Sequence, residues 1–154
     1  MNQYEEKLQN YIANKGIPAK QLVLEKTCHS VQEAADAVGA SPDDLVKNIC
    51  MIDSENNLIV AIVKGEDRVS TTRIGKVLNI ATPRIASEDE VLDMTGFPCG
   101  GVPSFGFTAT FIIDPKVLEK DMIYTGGGSP YSLVWLSSQD LQKANNGLIA
   151  RIRK

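Results

Sequence analysis

Three features of the chain have the residue types and spacing for chemistry: the lysine at position 47, the single histidine at position 29, and the segment Thr95-Gly96-Phe97-Pro98-Cys99-Gly100-Gly101-Val102-Pro103-Ser104-Phe105-Gly106. That segment puts four glycines and two prolines between a predicted helix and an apolar strand, and it is too apolar for a plain solvent loop. Glycines remove side-chain bulk, so a ligand can approach backbone N–H groups, and such groups bind an oxyanion or a phosphate. A tight structural crossover is the other reading of the same composition. Lys47 stands directly before the apolar run Asn48 to Ile52, which sets its ammonium at the rim of a core; taken alone, it reads as a solvated strand-entry residue. Gly126-Gly127-Gly128 reads as a hairpin turn.

Other familiar chemistries fit poorly. A serine or cysteine hydrolase needs a base beside its nucleophile, and only His29 could serve; no GxSxG elbow presents a serine to it. By itself His29 reads as a hydrogen-bonded structural residue at a strand end. Asp43-Asp44 and Glu88-Asp89-Glu90 fall at helix starts, where negative charge is favourable without catalysis. Cys28, Cys50 and Cys99 are widely spaced and read as reduced thiols, and without a CxxC or HxxxH pattern no metal site is expected.

The elements that must position these residues follow from periodicity. Tyr4, Leu8, Tyr11 and Ile12 lay one apolar stripe along a helix ending near Gly16, and Pro18 forbids its continuation. Leu22 to Leu24 reads as a strand. Ser30-Val31-Gln32-Glu33 reads as a capping box opening a helix that turns Val31, Ala34, Ala35 and Val38 inward and stops at Gly39. Ser41 to Asp44 starts a short turn of helix. Asn48 to Ile52 and Leu58 to Val63 are nearly continuous apolar, β-branched runs, as strands buried on both faces should be, with Asp53 to Asn57 as their hairpin loop. A helix from Ser70 places Ile74, Val77 and Leu78 on one side; a strand spans Thr82 to Ala86, and Ser87 caps the next helix. Phe107 to Ile113 is a strand, and Asp114-Pro115 opens a short helix through Leu118. Met122 to Thr125 and Tyr131 to Leu136 flank the triple glycine, and a last helix and strand follow. The expected fold class is α+β, with a mixed, largely antiparallel central sheet and peripheral helices, in a single domain over residues 1–154. Strands do not alternate regularly with long helices, which argues against a dinucleotide-binding fold.

At 154 residues, 43% apolar and 23% charged, the chain can bury a sizeable core. A net charge of −3 makes the whole molecule no sponge for nucleic acid, so any RNA contact must be local. Lys64, Arg68, Arg73 and Lys76, or Arg151, Arg153 and Lys154, could supply it; solvated faces are the competing reading. The first residues lack the order of a signal peptide and no apolar run is long enough to span a membrane, so a cytoplasmic address is expected, with neither membrane nor DNA as a partner.

Taken in order, these segments resemble the YbaK/ProX (EbsC-like) family of aminoacyl-tRNA editing domains, which includes the editing insertion of bacterial prolyl-tRNA synthetase. The likeness runs from about Val23 to Arg151. His29-Ser30-Val31-Gln32-Glu33-Ala34 is similar to the family's early helix entry, and Val46-Lys47-Asn48-Ile49 to its strand-opening KTL or KSL motif. Gly65-Glu66-Asp67-Arg68-Val69 followed by Arg73, Lys76 and Leu78 is similar to its GDRRVD…KLAKAL stretch, and the glycine segment to its TGxxxGGVSPFG loop. The resemblance implies hydrolysis of the ester joining a small wrong amino acid such as alanine, cysteine or serine to the 3′ end of tRNA, with tRNA for proline as the common substrate. It implies Lys47 as the catalytic or substrate-orienting lysine and backbone amides at Gly100 and Gly101 as contacts of the reacting end. It further implies His29, Val102, Pro103, Ser104 and Gly127 as substrate contacts, and Arg68, Arg73 and Lys76 as tRNA contacts. No cofactor is implied; the partners are a charged tRNA acceptor end and, through the family's association, an aminoacyl-tRNA synthetase. The chain departs from the pattern at the Pro103-Ser104 order, at Ser70 in place of an aspartate, and at Leu133 where some members carry an acidic residue. A non-catalytic aminoacyl-ligand module and a pocket-free structural domain are the rival expectations.

Overall fold

The computed structural model describes residues 1–154. Helix α1 (Gln3–Lys15) starts at an Asn2 cap completed by Glu5 and ends at Gly16, whose φ of 63° fits a residue without Cβ. It lays Leu8 and Ile12 on the core. Strand β1 (Ala19–Val23) begins three residues before the expected one. Helix α2 (Val31–Val38) buries Ala34 and Ala35 and is capped by Ser30. The expected capping box at its start is only half formed: Ser30 accepts from the Glu33 amide, whereas the Glu33 carboxylate accepts from Thr27 instead.

A 3₁₀ turn (Pro42–Asp44) leads into β2 (Val46–Ile52), which pairs antiparallel with β3 (Leu58–Lys64) from Val46↔Lys64 to Ile52↔Leu58. Helix α3 (Thr71–Leu78) follows, then β4 (Arg84–Ile85) and α4 (Glu88–Thr95). In α3 it is Ile74 and Gly75 that are buried, and Val77, expected on the inner side, is 38% exposed. β4 is shorter than the expected Thr82 to Ala86 because Pro83 has no N–H for a ladder. It pairs with β2 only at Met51 and Ile52, and the Ala86 amide adds one bond to the Cys50 carbonyl.

Strand β5 (Thr110–Ile113) is likewise shorter than the expected Phe107 to Ile113. Gly106, at φ 100°, turns the chain before it, and the Phe107 ring packs between Phe97 and Phe111 rather than extending the ladder. A 3₁₀ turn (Pro115–Glu119), β6 (Met122–Gly126), β7 (Ser132–Ser137), α5 (Ser138–Asn145) and β8 (Leu148–Ile149) complete the chain. The class is α+β, as expected. Its strands divide into a five-stranded mixed sheet, β4-β2-β3-β5-β8, and a three-stranded antiparallel sheet, β1-β7-β6. A single parallel bridge, Leu45↔Tyr124, joins them.

Because β3 is apolar on both faces, it supports two cores. On one side Leu8, Phe97, Phe105, Val134 and Leu136 pack with Val60 and Ile62. On the other, Ile74 and Ile152 pack with Ile59, Ala61 and Ile112. No helix is long and apolar enough to cross a membrane.

Candidate active site

Beyond the reach of β4, the Val46 to Ile49 edge of β2 is unpaired on that side, and a cleft of about 320 Å³ opens along it. β2 brings Lys47, Asn48 and Cys50 to the cleft. The glycine loop brings Cys99, Gly100 and Val102, the entry to α2 brings Cys28 and His29, and β6 brings Thr125 and Gly126.

The loop is fixed to the sheets by a closed ring of side-chain hydrogen bonds. Ser104 is fully buried and has one hydroxyl proton, which it donates to Asn48 Oδ1 at 2.7 Å. Its 2.7 Å contact with Thr125 Oγ1 is then a bond that Thr125 donates. Thr125 in turn accepts from Asn48 Nδ2 at 2.9 Å, and the second amide proton of Asn48 goes to the Val102 carbonyl at 2.9 Å. The Val102 carbonyl can only accept, which fixes the orientation of the Asn48 amide, and every donor in the ring has a partner. The Ser104 carbonyl accepts from Asn145 Nδ2 at 2.9 Å, tying the loop also to α5.

Backbone packs on backbone behind the loop. A Cβ on Gly126 would lie 2.1 Å from the Val102 carbonyl oxygen, and one on Gly101 2.5 Å from the Ser129 nitrogen. The Gly128 amide donates to the Gly101 carbonyl at 2.8 Å. The triple glycine, expected as a mere turn, is therefore the surface on which the loop rests. Gly101 differs from expectation as well: its amide donates to the Pro98 carbonyl at 3.0 Å and is not free for a ligand. Gly100, at φ 92°, and Val102 line the cleft, and neither N–H donates to a backbone acceptor.

Of the residues singled out in the sequence, His29, Lys47, Gly100 and Val102 thus meet in one cleft. Gly101, Pro103 and Ser104 are buried and support it from behind. Gly127 also lies outside the lining, its amide bonded to the Ser132 carbonyl and its carbonyl to Gln21. Arg68, Arg73 and Lys76 are exposed and outside the cleft. Asn48 and Thr125 were not singled out, although a polar residue opening an otherwise apolar strand was a signal for Asn48.

Lys47 is half-buried, and its ammonium faces no carboxylate within ion-pair distance, unlike Lys64, which pairs with Asp43, or Lys120, which pairs with Asp43 and Asp44. Burial lowers its pKa below the ordinary lysine value; the charge of Arg68 lowers it further, and Asp67 opposes both. Burial, reinforced by Cys99, pushes the Cys50 thiol up to about 12, and burial followed by the charge of Glu33 raises Cys28. Those two thiols are protonated at neutral pH and make poor nucleophiles. The hydroxyls of Ser104 and Thr125 are spent on the ring, and that of Ser30 caps α2. His29 is exposed at the rim, where a Cβ on Gly100 would lie 3.4 Å from its Nδ1. The cleft is therefore lined by a half-buried lysine without an ion-pair partner and by two amides without a backbone acceptor, and the thiols of Cys28 and Cys50 and the hydroxyls of Ser30, Ser104 and Thr125 are not activated nucleophiles.

Residues 25–144 match the family described as aminoacyl-tRNA editing domain. A proline–tRNA ligase of Geotalea daltonii is 26% identical over 100 residues, which is 65% of this chain and 17% of the ligase, so the chain spans a small part of such relatives. The uncharacterised protein YwhH of Bacillus subtilis is 22% identical over 122 residues, covering 78% of this chain and 77% of that one. Among solved structures, a candidate trans-editing enzyme for prolyl-tRNA synthetase superposes with a TM-score of 0.92 at 23% identity, covering 100% of this chain and 99% of that one, which is a likeness of fold. With 25–144 matched, this chain belongs to the aminoacyl-tRNA editing domain family.

Proposed function

We propose that the protein hydrolyses the ester linking a small, wrongly attached amino acid to the 3′ end of a tRNA. The observation that carries the reading is the position of Lys47: a partly desolvated cation without a carboxylate partner, in the same cleft as the free amides of Gly100 and Val102. A cation and aligned N–H donors stabilise the negative charge that develops on an ester oxygen during acyl transfer, and in a water-poor site one such donor is worth roughly 3 to 4 kcal/mol. Water adds to the ester carbonyl carbon, the bond from that carbon to the ribose oxygen breaks, and a proton from the water ends on the released ribose hydroxyl. The free hydroxyl of the same terminal ribose is suited to activate that water. The reaction consumes only water and needs no cofactor.

The cleft has room for a small acyl group such as alanyl, cysteinyl or seryl. Likeness to proline–tRNA ligases supports tRNA for proline as the carrier. Such correction is needed because one methylene in an apolar pocket discriminates by only about 1 to 3 kcal/mol. The test is a panel of tRNAs charged with alanine, cysteine, serine or proline: accelerated loss of one small amino acid, with the proline ester spared, supports the proposal. Saturable binding of charged tRNA without acceleration would replace the hydrolase by a non-catalytic aminoacyl-binding module.

A further inference from the structure

Two basic stretches 80 residues apart in the sequence lie side by side in the fold. Asp114 is fully buried at the end of β5 and accepts hydrogen bonds from the amides of Ile152 and Arg153, at 3.0 and 3.1 Å, and from Arg153 Nη1 at 2.7 Å. This anchors the segment from Arg151 to Lys154. The anchored segment then pairs with the chain leading into α3: Val69 and Arg153 form an antiparallel bridge, the Ser70 amide donates to the Ile152 carbonyl at 2.7 Å, and the Lys154 amide donates to the Arg68 carbonyl at 2.8 Å. Arg68, Arg73, Lys76, Arg151 and Lys154 are all exposed, and none is in an ion pair. The neighbouring basic residues are neutralised: Arg153 by Asp114, and Lys116 by Asp67. Glu66 is the exposed acidic residue in the same turn.

We infer that Arg68, Arg73, Arg151 and Lys154 form one composite surface that holds the phosphate backbone of the RNA acceptor stem whose end enters the Lys47 cleft. The inference rests on the proposed hydrolysis and extends it to the RNA partner. On a chain of net charge −3, unpaired cations gathered in one place mark a local polyanion site rather than general stickiness. The strip also leads to the cleft. Gly65 donates to the Leu45 carbonyl at 2.8 Å, which seats the turn carrying Arg68 against the start of β2, and the charge of Arg68 is felt at Lys47. No base-edge reading is implied: exposed arginines and lysines on a phosphate track fix register and orientation but carry no sequence information.

The test measures binding of a fluorescent, uncharged acceptor-stem RNA hairpin as a function of salt. It compares the native chain, the Arg151→Ala/Lys154→Ala variant, and a Lys20→Ala/Lys143→Ala control that removes the same charge from β1 and α5. The expected result is roughly fivefold or greater weakening at low salt in the first variant, with the logarithmic salt slope reduced by about 1.4 to 1.8 for two lost phosphate contacts. The control should stay near native. Equal losses in both variants, or none in either, would overturn the surface. Hydrolysis separates this from the function proposed above. With a charged tRNA the first variant should show a raised KM at unchanged kcat, and with an aminoacyl-adenosine ester lacking the stem it should match the native chain. RNA binding with the expected slope but no ester hydrolysis leaves the surface standing and removes the hydrolase, whereas hydrolysis of charged tRNA with native KM in the variant does the reverse.

Discussion

The Ser104 hydroxyl donates to Asn48 Oδ1 at 2.7 Å, and so ties the middle of the glycine loop to the strand residue that follows Lys47. The loop wall of the cleft is thereby fixed to β2 and β6 through three hydrogen-bonded side chains, of which Ser104 and Thr125 are fully buried. Breaking that ring should change function and stability together. Thr125→Val keeps the shape of the side chain but leaves Asn48 Nδ2 and Ser104 short of a partner in a buried setting. A loss of about 1 to 3 kcal/mol is expected, read as a lower midpoint in denaturant unfolding at unchanged slope. Ser104→Ala should cost a similar amount, and the double variant should cost less than the sum, because the second change removes a group already left unpaired.

Gly126 tests the backbone contact on the other side of the loop. A Cβ there would meet the Val102 carbonyl oxygen at 2.1 Å, an atom that cannot move without its peptide. Gly126→Ala should therefore push the loop off β6, costing roughly 1 to 3 kcal/mol in stability, as overpacking does, and lowering ester hydrolysis more than KM. Gly16→Ala, with no atom within 4 Å of its Cβ, is the comparison: it strains the helix end without touching the loop, so its hydrolysis rate should equal that of the native chain.

These contacts also explain what could be read without the structure. Helix α1, the β2–β3 hairpin and the caps of α3 and α4 were legible because apolar spacing and cap residues are local signals. The convergence of His29, Lys47, Gly100 and Val102 followed from the family resemblance of their motifs, and the cleft that holds them is a property of the fold. The division into two sheets was not legible, since which strands pair depends on long-range packing. The supporting role of Gly101 and Ser104 was hidden for the same reason: composition says that a loop can approach a ligand, but not which of its amides is already spent. Strand ends at Phe107 and Thr82 were overextended because Gly106 and Pro83 act on the backbone, whereas the apolar pattern continues past them.

The electrostatics of Lys47 set a pH dependence. Its pKa lies below the ordinary 10.5 because burial, and then Arg68, disfavour the charged form. If the ammonium is the acting species, hydrolysis corrected for the uncatalysed rate should fall as pH rises through a value below 10.5. Arg68→Ala should move that limb toward higher pH, since it removes a repulsive charge. The effect on folding has the opposite sense. The unfolded chain binds the proton more tightly than the folded one, so this lysine is destabilising at neutral pH and the penalty is relieved as pH rises toward 10.5. Lys47→Met should therefore unfold no more easily than the native chain.

Asp114 carries an acid-side prediction. Burial pushes its carboxyl up, but the amides of Lys116, Ile152 and Arg153 and the guanidinium of Arg153 outweigh it and leave the pKa below 3.8. Its contribution to stability is present above 3.8 and is lost as pH falls through the lowered folded value. Asp114→Asn should cost about 1.5 to 3 kcal/mol at neutral pH, the range for hydrogen bonds to a charged group, and should flatten the acid limb of a plot of melting temperature against pH. Because Asp114 anchors the segment from Arg151 to Lys154, the same variant should also bind acceptor-stem RNA more weakly.

The most direct test of the central claim is single-turnover hydrolysis of a tRNA charged with alanine, cysteine or serine, comparing the native chain with Lys47→Ala. The account predicts that the native chain accelerates loss of one of these esters and that the variant, folded to the same melting temperature or higher, loses about 10² to 10³ of that acceleration. A variant that hydrolyses the ester at the native rate would contradict it, because the cation that defines the site would then have no part in the reaction.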